Sequence, residues 1–195
     1  MKFISIILLL LIIWGFISNL KFKKKFVIKK DHHYDNSIFF IKYFLFFKNR
    51  IFKFDISFDS TWDYILSNNY DQQDINKLIG FGFPPGVHTN SIRFGGRYNP
   101  LSKKVEILSY YYVNKVRGFE LLYSDCLLDG TVYTLILEVN KKSYILSIEQ
   151  NGKLIGTSFE IKKGHNQFFG YILKPYFGGN QAAPQLINTR ISRVD

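Results

Sequence analysis

The chain has a single cysteine, Cys126, in 195 residues. No intrachain disulfide is possible, so the folded part must be held by packing alone. A lone thiol in this setting reads as a small buried hydrophobe rather than a nucleophile. Catalytic signatures are equally scarce. There is no Gly-x-Ser-x-Gly elbow and no phosphate-binding glycine loop, so no cofactor is expected. Glu138, Glu149 and Glu160 fall on strand-like stretches but form no tight carboxylate cluster of the kind glycoside hydrolysis needs. Asp31-His32-His33-Tyr34-Asp35 looks metal-like, yet adjacent histidines point apart in a strand. His88 and His165 are scattered, and no metal site is expected.

What is present favours one packed domain. Hydrophobic residues make up 47% of the chain and aromatics 18%, ample for a core, and the dominant Phe and Tyr both favour strands. The net charge of +11 is unevenly placed. Between Lys21 and Arg50, nine basic residues stand against two acidic ones, whereas Ile51–Asp195 is close to balanced, with sixteen against thirteen. The basicity therefore belongs to an arm, which argues against nucleic-acid binding and for attraction to an anionic membrane surface.

That arm follows an apolar run, Phe3 to Leu20, broken only by Ser5, Gly15, Ser18 and Asn19. As a helix it would rise about 27 Å, close to the hydrocarbon thickness of a bilayer. Residues 1–20 are therefore expected to be a signal peptide or membrane-anchor helix, followed by a basic, aromatic-rich arm at 21–50 and a β-sandwich at 51–195. No A-x-A-like pair closes the apolar run, which favours an anchor over a cleaved signal. The lysines on its C-terminal flank would by the positive-inside rule hold that flank in the cytoplasm, so a membrane-anchored or secreted protein is expected with its sidedness open. Ile38–Phe47 is a second apolar run, split by Lys42 and too short to span; it reads as a strand.

From Ile51 the pattern is period-two alternation. Phe52, Phe54, Ile56 and Phe58 share a face, and further strands are expected around Val105–Val113, Val132–Val139, Tyr144–Ile148, Leu154–Ile161, Phe168–Phe177 and Leu186–Ile191. Asn99-Pro100, Asp129-Gly130 and Asn151-Gly152 mark turns between them. Asp59–Gly80 breaks the alternation, and Gln73–Leu78 reads as a short helical turn. The expected fold is all-β, an antiparallel sandwich or jelly roll.

The densest polar and aromatic cluster runs from Pro84 to Asn99. Alternation along Ser91–Tyr98 places Ser91, Arg93, Gly95 and Arg97 on one face. With His88 and Asn90 beside them, these arginines could hold an anionic or hydroxyl-rich ligand, or could meet nearby carboxylates on a solvated sheet. Tyr110 and Tyr112 share a face of the next strand and would suit a sugar platform if that face is the outer one. His88, Asn90, Arg93, Arg97, Tyr110 and Tyr112 are thus the candidate ligand-binding residues.

The tail Tyr171–Ala183 (YILKPYFGGNQAA), followed by Pro184 and an apolar strand, resembles the last strands of concanavalin-like jelly-roll domains. It is also similar to a family of small bacterial β-sandwich proteins of unassigned function. Asp74–Leu78 with Gly80-Phe81, and His88-x-Asn90-Ser91-x-Arg93-x-Gly95, resemble the same family, and the likeness runs from Phe54 to Ile191. The resemblance implies a jelly-roll sandwich and a glycan ligand. The lyases of that fold carry an R-x-E-x-R strand, whereas no Glu stands between Arg93 and Arg97. The expected function is accordingly carbohydrate binding without catalysis, with a polysaccharide lyase or hydrolase, or a structural module at the cell envelope, as alternatives.

Overall fold

The computed structural model describes residues 22–35, 43–45, 50–164, 167 and 169–194. The apolar segment 3–20 expected as a helix lies outside them, as does most of 38–47. Among the described residues no helix is long and apolar enough to cross a membrane.

Two six-stranded antiparallel sheets pack face to face. The first runs in the order β1 (Phe22–Ile28), β12 (Ile187–Arg193), β3 (Arg50–Phe58), β8 (Val132–Val139), β9 (Ser143–Gln150), β10 (Lys153–Lys162). The second runs β2 (Tyr43–Leu45), β11 (Phe169–Leu173), β4 (Asn76–Phe83), β5 (Asn90–Asn99), β6 (Lys104–Val113), β7 (Val116–Cys126). Alternation drives the pairing. Phe52, Phe54, Ile56 and Phe58 of β3 meet Phe81 and Phe83 of β4 and Ile92 and Phe94 of β5 between the sheets, all essentially sealed from solvent. The Phe52 and Phe81 rings sit 4.7 Å apart across the sandwich. Each buried phenylalanine contributes about 1.5–3 kcal/mol of hydrophobic stabilisation. Cys126 is fully buried, and burial pushes its thiol well above the usual range, which leaves it inert.

Four elements differ from the expectation. β1 lies within the segment expected as an arm; it pairs with β12 in the first sheet and tucks Phe26 and Ile28 into the core. The helical turn expected at Gln73–Leu78 forms earlier, as α1 (Asn69–Gln72), because Asn68 caps it by accepting from the Tyr70 N–H at 2.8 Å. From Asn76 the chain is instead strand β4, with a register shift between Lys77 and Ile79 that sends both Leu78 and Ile79 into the core. Finally, β7 fills an eleven-residue stretch that alternation had not marked.

Candidate functional site

All of the candidate residues placed on β5 and β6 except Asn90 lie on the outer face of the second sheet. Ile92 and Phe94 point inward, so Ser91, Arg93, Gly95 and Arg97 point outward. In register, Arg93 lies between Gly80 of β4 and Tyr110 of β6, and Ser91 between Gly82 and Tyr112. Paired residues of antiparallel strands share a face. Arg93, Tyr110 and Tyr112 are thereby brought together, over a floor opened by glycines. Gly82 is roofed by the Tyr171 ring, where a Cβ would sit 2.8 Å from the ring, and Gly95 by Ile75.

Lys77 joins from β4. Its main chain exchanges two 2.8 Å hydrogen bonds with Tyr176, which extends the sheet beyond β11. The loop bearing Tyr176 is fixed from both sides: Asn76 accepts from the Gly178 N–H at 2.8 Å and donates to the Tyr64 hydroxyl at 2.7 Å. Phe177 is buried in the core, and a side chain at Gly178 would collide with the Ile75 carbonyl. This is the structural role of the PYFGGN stretch: it seats Tyr176 beside Lys77 at the rim of a cavity.

That cavity, of about 530 Å³, is bounded by Lys77, Arg93 and Tyr110 on its floor and by Tyr34, His88 and Tyr176 on its walls. Arg93 is 8% exposed. It has no carboxylate partner among the described residues: its Nη2 reaches Ser91 Oγ at 3.5 Å, its Nε is unpaired, and its guanidinium lies 5.7 Å from the Tyr110 ring centroid. A buried cation without a carboxylate is costly, and a bound anion could offset that cost here. Burial, then repulsion from Arg93, lowers Lys77 to about 8. Burial chiefly, with the neighbouring Tyr112 hydroxyl, pushes Tyr110 up to about 12. The His88 ring stands edge-on to Tyr112, 5.2 Å between centroids. The site therefore pairs a lysine able to give up its proton near pH 8 with a tyrosine that keeps its own.

The remaining candidates go elsewhere. Arg97 shares the face of Arg93 but is held by Glu106, through Nε at 2.8 Å and Nη2 at 2.5 Å, and donates to the Gln73 carbonyl at 3.3 Å. Asn90 projects to the opposite face, where its Oδ1 accepts from the Asn114 N–H at 3.1 Å. Lys77, Tyr34 and Tyr176 were missed. The PYFGGN and Asp74–Leu78 likenesses contain Tyr176 and Lys77, and the Asp31–Asp35 stretch contains Tyr34, but none of these marks them as ligand-binding residues. A larger cavity of about 620 Å³ lies between Ile65–Gln73 and Asn99–Leu101, but its lining includes no Lys, Arg, His, Asp or Glu.

No protein-family model matches the chain, and no curated protein matches it in sequence. Solved structures do match in fold. An alginate lyase from Chlorella virus superposes with a TM-score of 0.56 at 10% identity, over 87% of this chain and 81% of that one. The alginate lyase from Klebsiella pneumoniae gives 0.54 at 8% identity, over 72% of this chain and 56% of its own length. A Bacteroides ovatus GH16 of the mixed-linkage glucan PUL, in complex with G4G4G3G product, gives 0.51 at 13% identity, over 86% and 77%. The chain thus has the jelly-roll sandwich fold of these carbohydrate-active proteins.

Proposed function

We propose that this chain binds an acidic polysaccharide on the outer face of its second sheet and cleaves it by β-elimination. The observation that carries the reading is Arg93, a buried guanidinium without a carboxylate, set beside Lys77 and Tyr110 in one cavity. A uronate carboxylate on Arg93 would have its charge neutralised, which acidifies the proton on the adjacent ring carbon. Lys77, neutral above about pH 8, takes that proton. The glycosidic C–O bond on the β carbon then breaks, and Tyr110 or Tyr112 donates a proton to the departing oxygen. The products are a free hydroxyl and an unsaturated uronate, with no water or redox partner consumed.

The hydrolase alternative fits less well. It needs two facing carboxylates, and Asp35 is the one acid lining the cavity among the described residues, itself 3.9 Å from Lys24. Two of the fold neighbours are alginate lyases, and alginate is a polyuronate, which supports the elimination chemistry by analogy of fold. Residues 3–20 and the lysines after them support delivery to the cell envelope, which fractionation of the expressed full chain would test.

The reading is tested by incubating the full chain with alginate, polyglucuronate and polygalacturonate and following the ultraviolet absorbance of unsaturated uronate. Product that disappears in both Lys77→Ala and Arg93→Gln supports it. Binding lost with Arg93→Gln but no product from the wild type would reduce the site to a non-catalytic glycan receptor.

A further inference from the structure

The cross-strand rows that build the cavity continue past β6. In the register of β6 and β7, Tyr110 faces Phe119 and Tyr112 faces Arg117, so all four side chains leave the sheet on the same side. Burial along β7 agrees. Leu122 is in the core at 2% exposure, while Phe119 and Leu121 are 47% and 48% exposed. Gly118, between Arg117 and Phe119, lies on the other face beneath the Tyr111 ring, which would collide with any side chain there. Tyr111 in turn stacks on Phe159 of the first sheet.

Arg117 and Phe119 therefore prolong the cavity floor into solvent: a guanidinium beyond Tyr112 and an aromatic ring beyond Tyr110. Arg117 has no ion pair among the described residues. Its positive charge nonetheless reaches the cavity, where it adds slightly to the lowering of Lys77 by burial and offsets a little of the rise that burial gives Tyr110. The one carboxylate between Arg117 and Leu121, Glu120, falls on the other face by alternation, opposite Ser109. This strip is thus cationic and aromatic with no acid on its own side.

We infer that Arg117 and Phe119 form a second sugar subsite, which holds the carboxylate and ring face of a uronate further along the chain bound at Arg93. The inference rests on the proposed reading of the cavity. Strands β5 and β7 are two spacings apart, on the order of 10 Å, a reach comparable to neighbouring sugars of one polymer. An arginine fork matches a carboxylate with two parallel hydrogen bonds, and an exposed ring offers an apolar face without losing side-chain freedom it does not have. Neither residue touches the reacting carbon, so their contribution is uniform binding: it appears in KM and not in kcat.

The test uses the full chain and a ladder of saturated oligouronates of rising length. For the wild type, KM should fall at the length that first reaches β7. In the doubly substituted Arg117→Gln, Phe119→Ala protein, KM for the long oligomers should rise about five- to tenfold, back to the value for short ones. Turnover and the short substrates, measured at pH 9 where Lys77 is largely neutral with or without the Arg117 charge, should be unchanged. Both positions are exposed, and an unaltered melting temperature verifies folding. Equal KM values for both proteins at every length would overturn the subsite. If the wild type forms no product, electrophoresis through gels containing polyuronate separates the two ideas. Retardation weakened by the double substitution keeps the subsite and sinks the lyase; equal retardation, or none, sinks the subsite as well.

Discussion

Lys77 Nζ lies 4.8 Å from the centroid of the Tyr110 ring, and the Arg93 guanidinium lies 5.7 Å from the same centroid. Two cations thus share one aromatic side chain in a partly dehydrated cavity. Ring quadrupoles attract cations, yet the pair also repels, and only the lysine can answer by losing a proton, since arginine stays charged in proteins. Of these two cations, Lys77 is therefore the one that titrates.

The pH dependence follows with a definite sign. Lys77 is lowered to about 8, so its neutral form grows as pH rises through that value. Cleavage measured as kcat/KM should climb with pH up to about 8 and then level, because Tyr110 keeps its proton until about 12. Lys77→Arg fixes the charge; it should remove the rise and lower the rate by roughly a hundredfold or more.

Arg93 is expected to trade stability for function. Replacing a buried, unpaired cation with an apolar side chain of similar length should be neutral or stabilising, by about 1 kcal/mol. Urea unfolding of Arg93→Met should therefore give a midpoint at or above that of the wild type, while binding to polyuronate is lost. A midpoint well below the wild type would mean that Arg93 serves the fold.

Arg97 is expected to behave oppositely. Its guanidinium is tied to Glu106, which also accepts from Asn99 Nδ2 at 3.0 Å. Glu106→Ala strands a half-buried arginine and should cost about 2 kcal/mol in chemical denaturation. The folded fraction should keep its KM for oligouronates.

Gly178→Ala probes the loop that seats Tyr176. The added Cβ would press on the Ile75 carbonyl, which is backbone and cannot swing aside. Overpacking of this kind costs about 1–3 kcal/mol. Thermal unfolding should show the loss, and activity should fall with it because Tyr176 hydrogen-bonds to Lys77 through the main chain.

The sandwich was legible where one face was buried and the other was not. Phe52–Phe58 and Val132–Val139 alternate apart from the buried Ser57 and Ile136, and Asn151-Gly152 turns β9 into β10 with both residues at positive φ. β4 hid because Gly80 and Gly82 erase its outer face and the shift at Leu78 breaks the period. β7 hid because Phe119 and Leu121, large and apolar, face outward. Arg93, Tyr110 and Tyr112 could be found from alternation within single strands. Lys77 could not, since its place beside them depends on β4 pairing with β5 and on Tyr176, ninety-nine positions away in sequence. The fate of each arginine was equally hidden: only the register that sets Glu106 opposite Arg97, and Tyr110 opposite Arg93, separates the paired one from the unpaired one.

The central claim is that Arg93 and Lys77 act together on an acidic sugar, and the unsaturated-uronate absorbance of the full chain at pH 9 tests it most directly. The account predicts steady product formation from at least one polyuronate, abolished by Arg93→Gln and by Lys77→Ala in proteins that melt like the wild type. Undiminished product formation in either variant would contradict it.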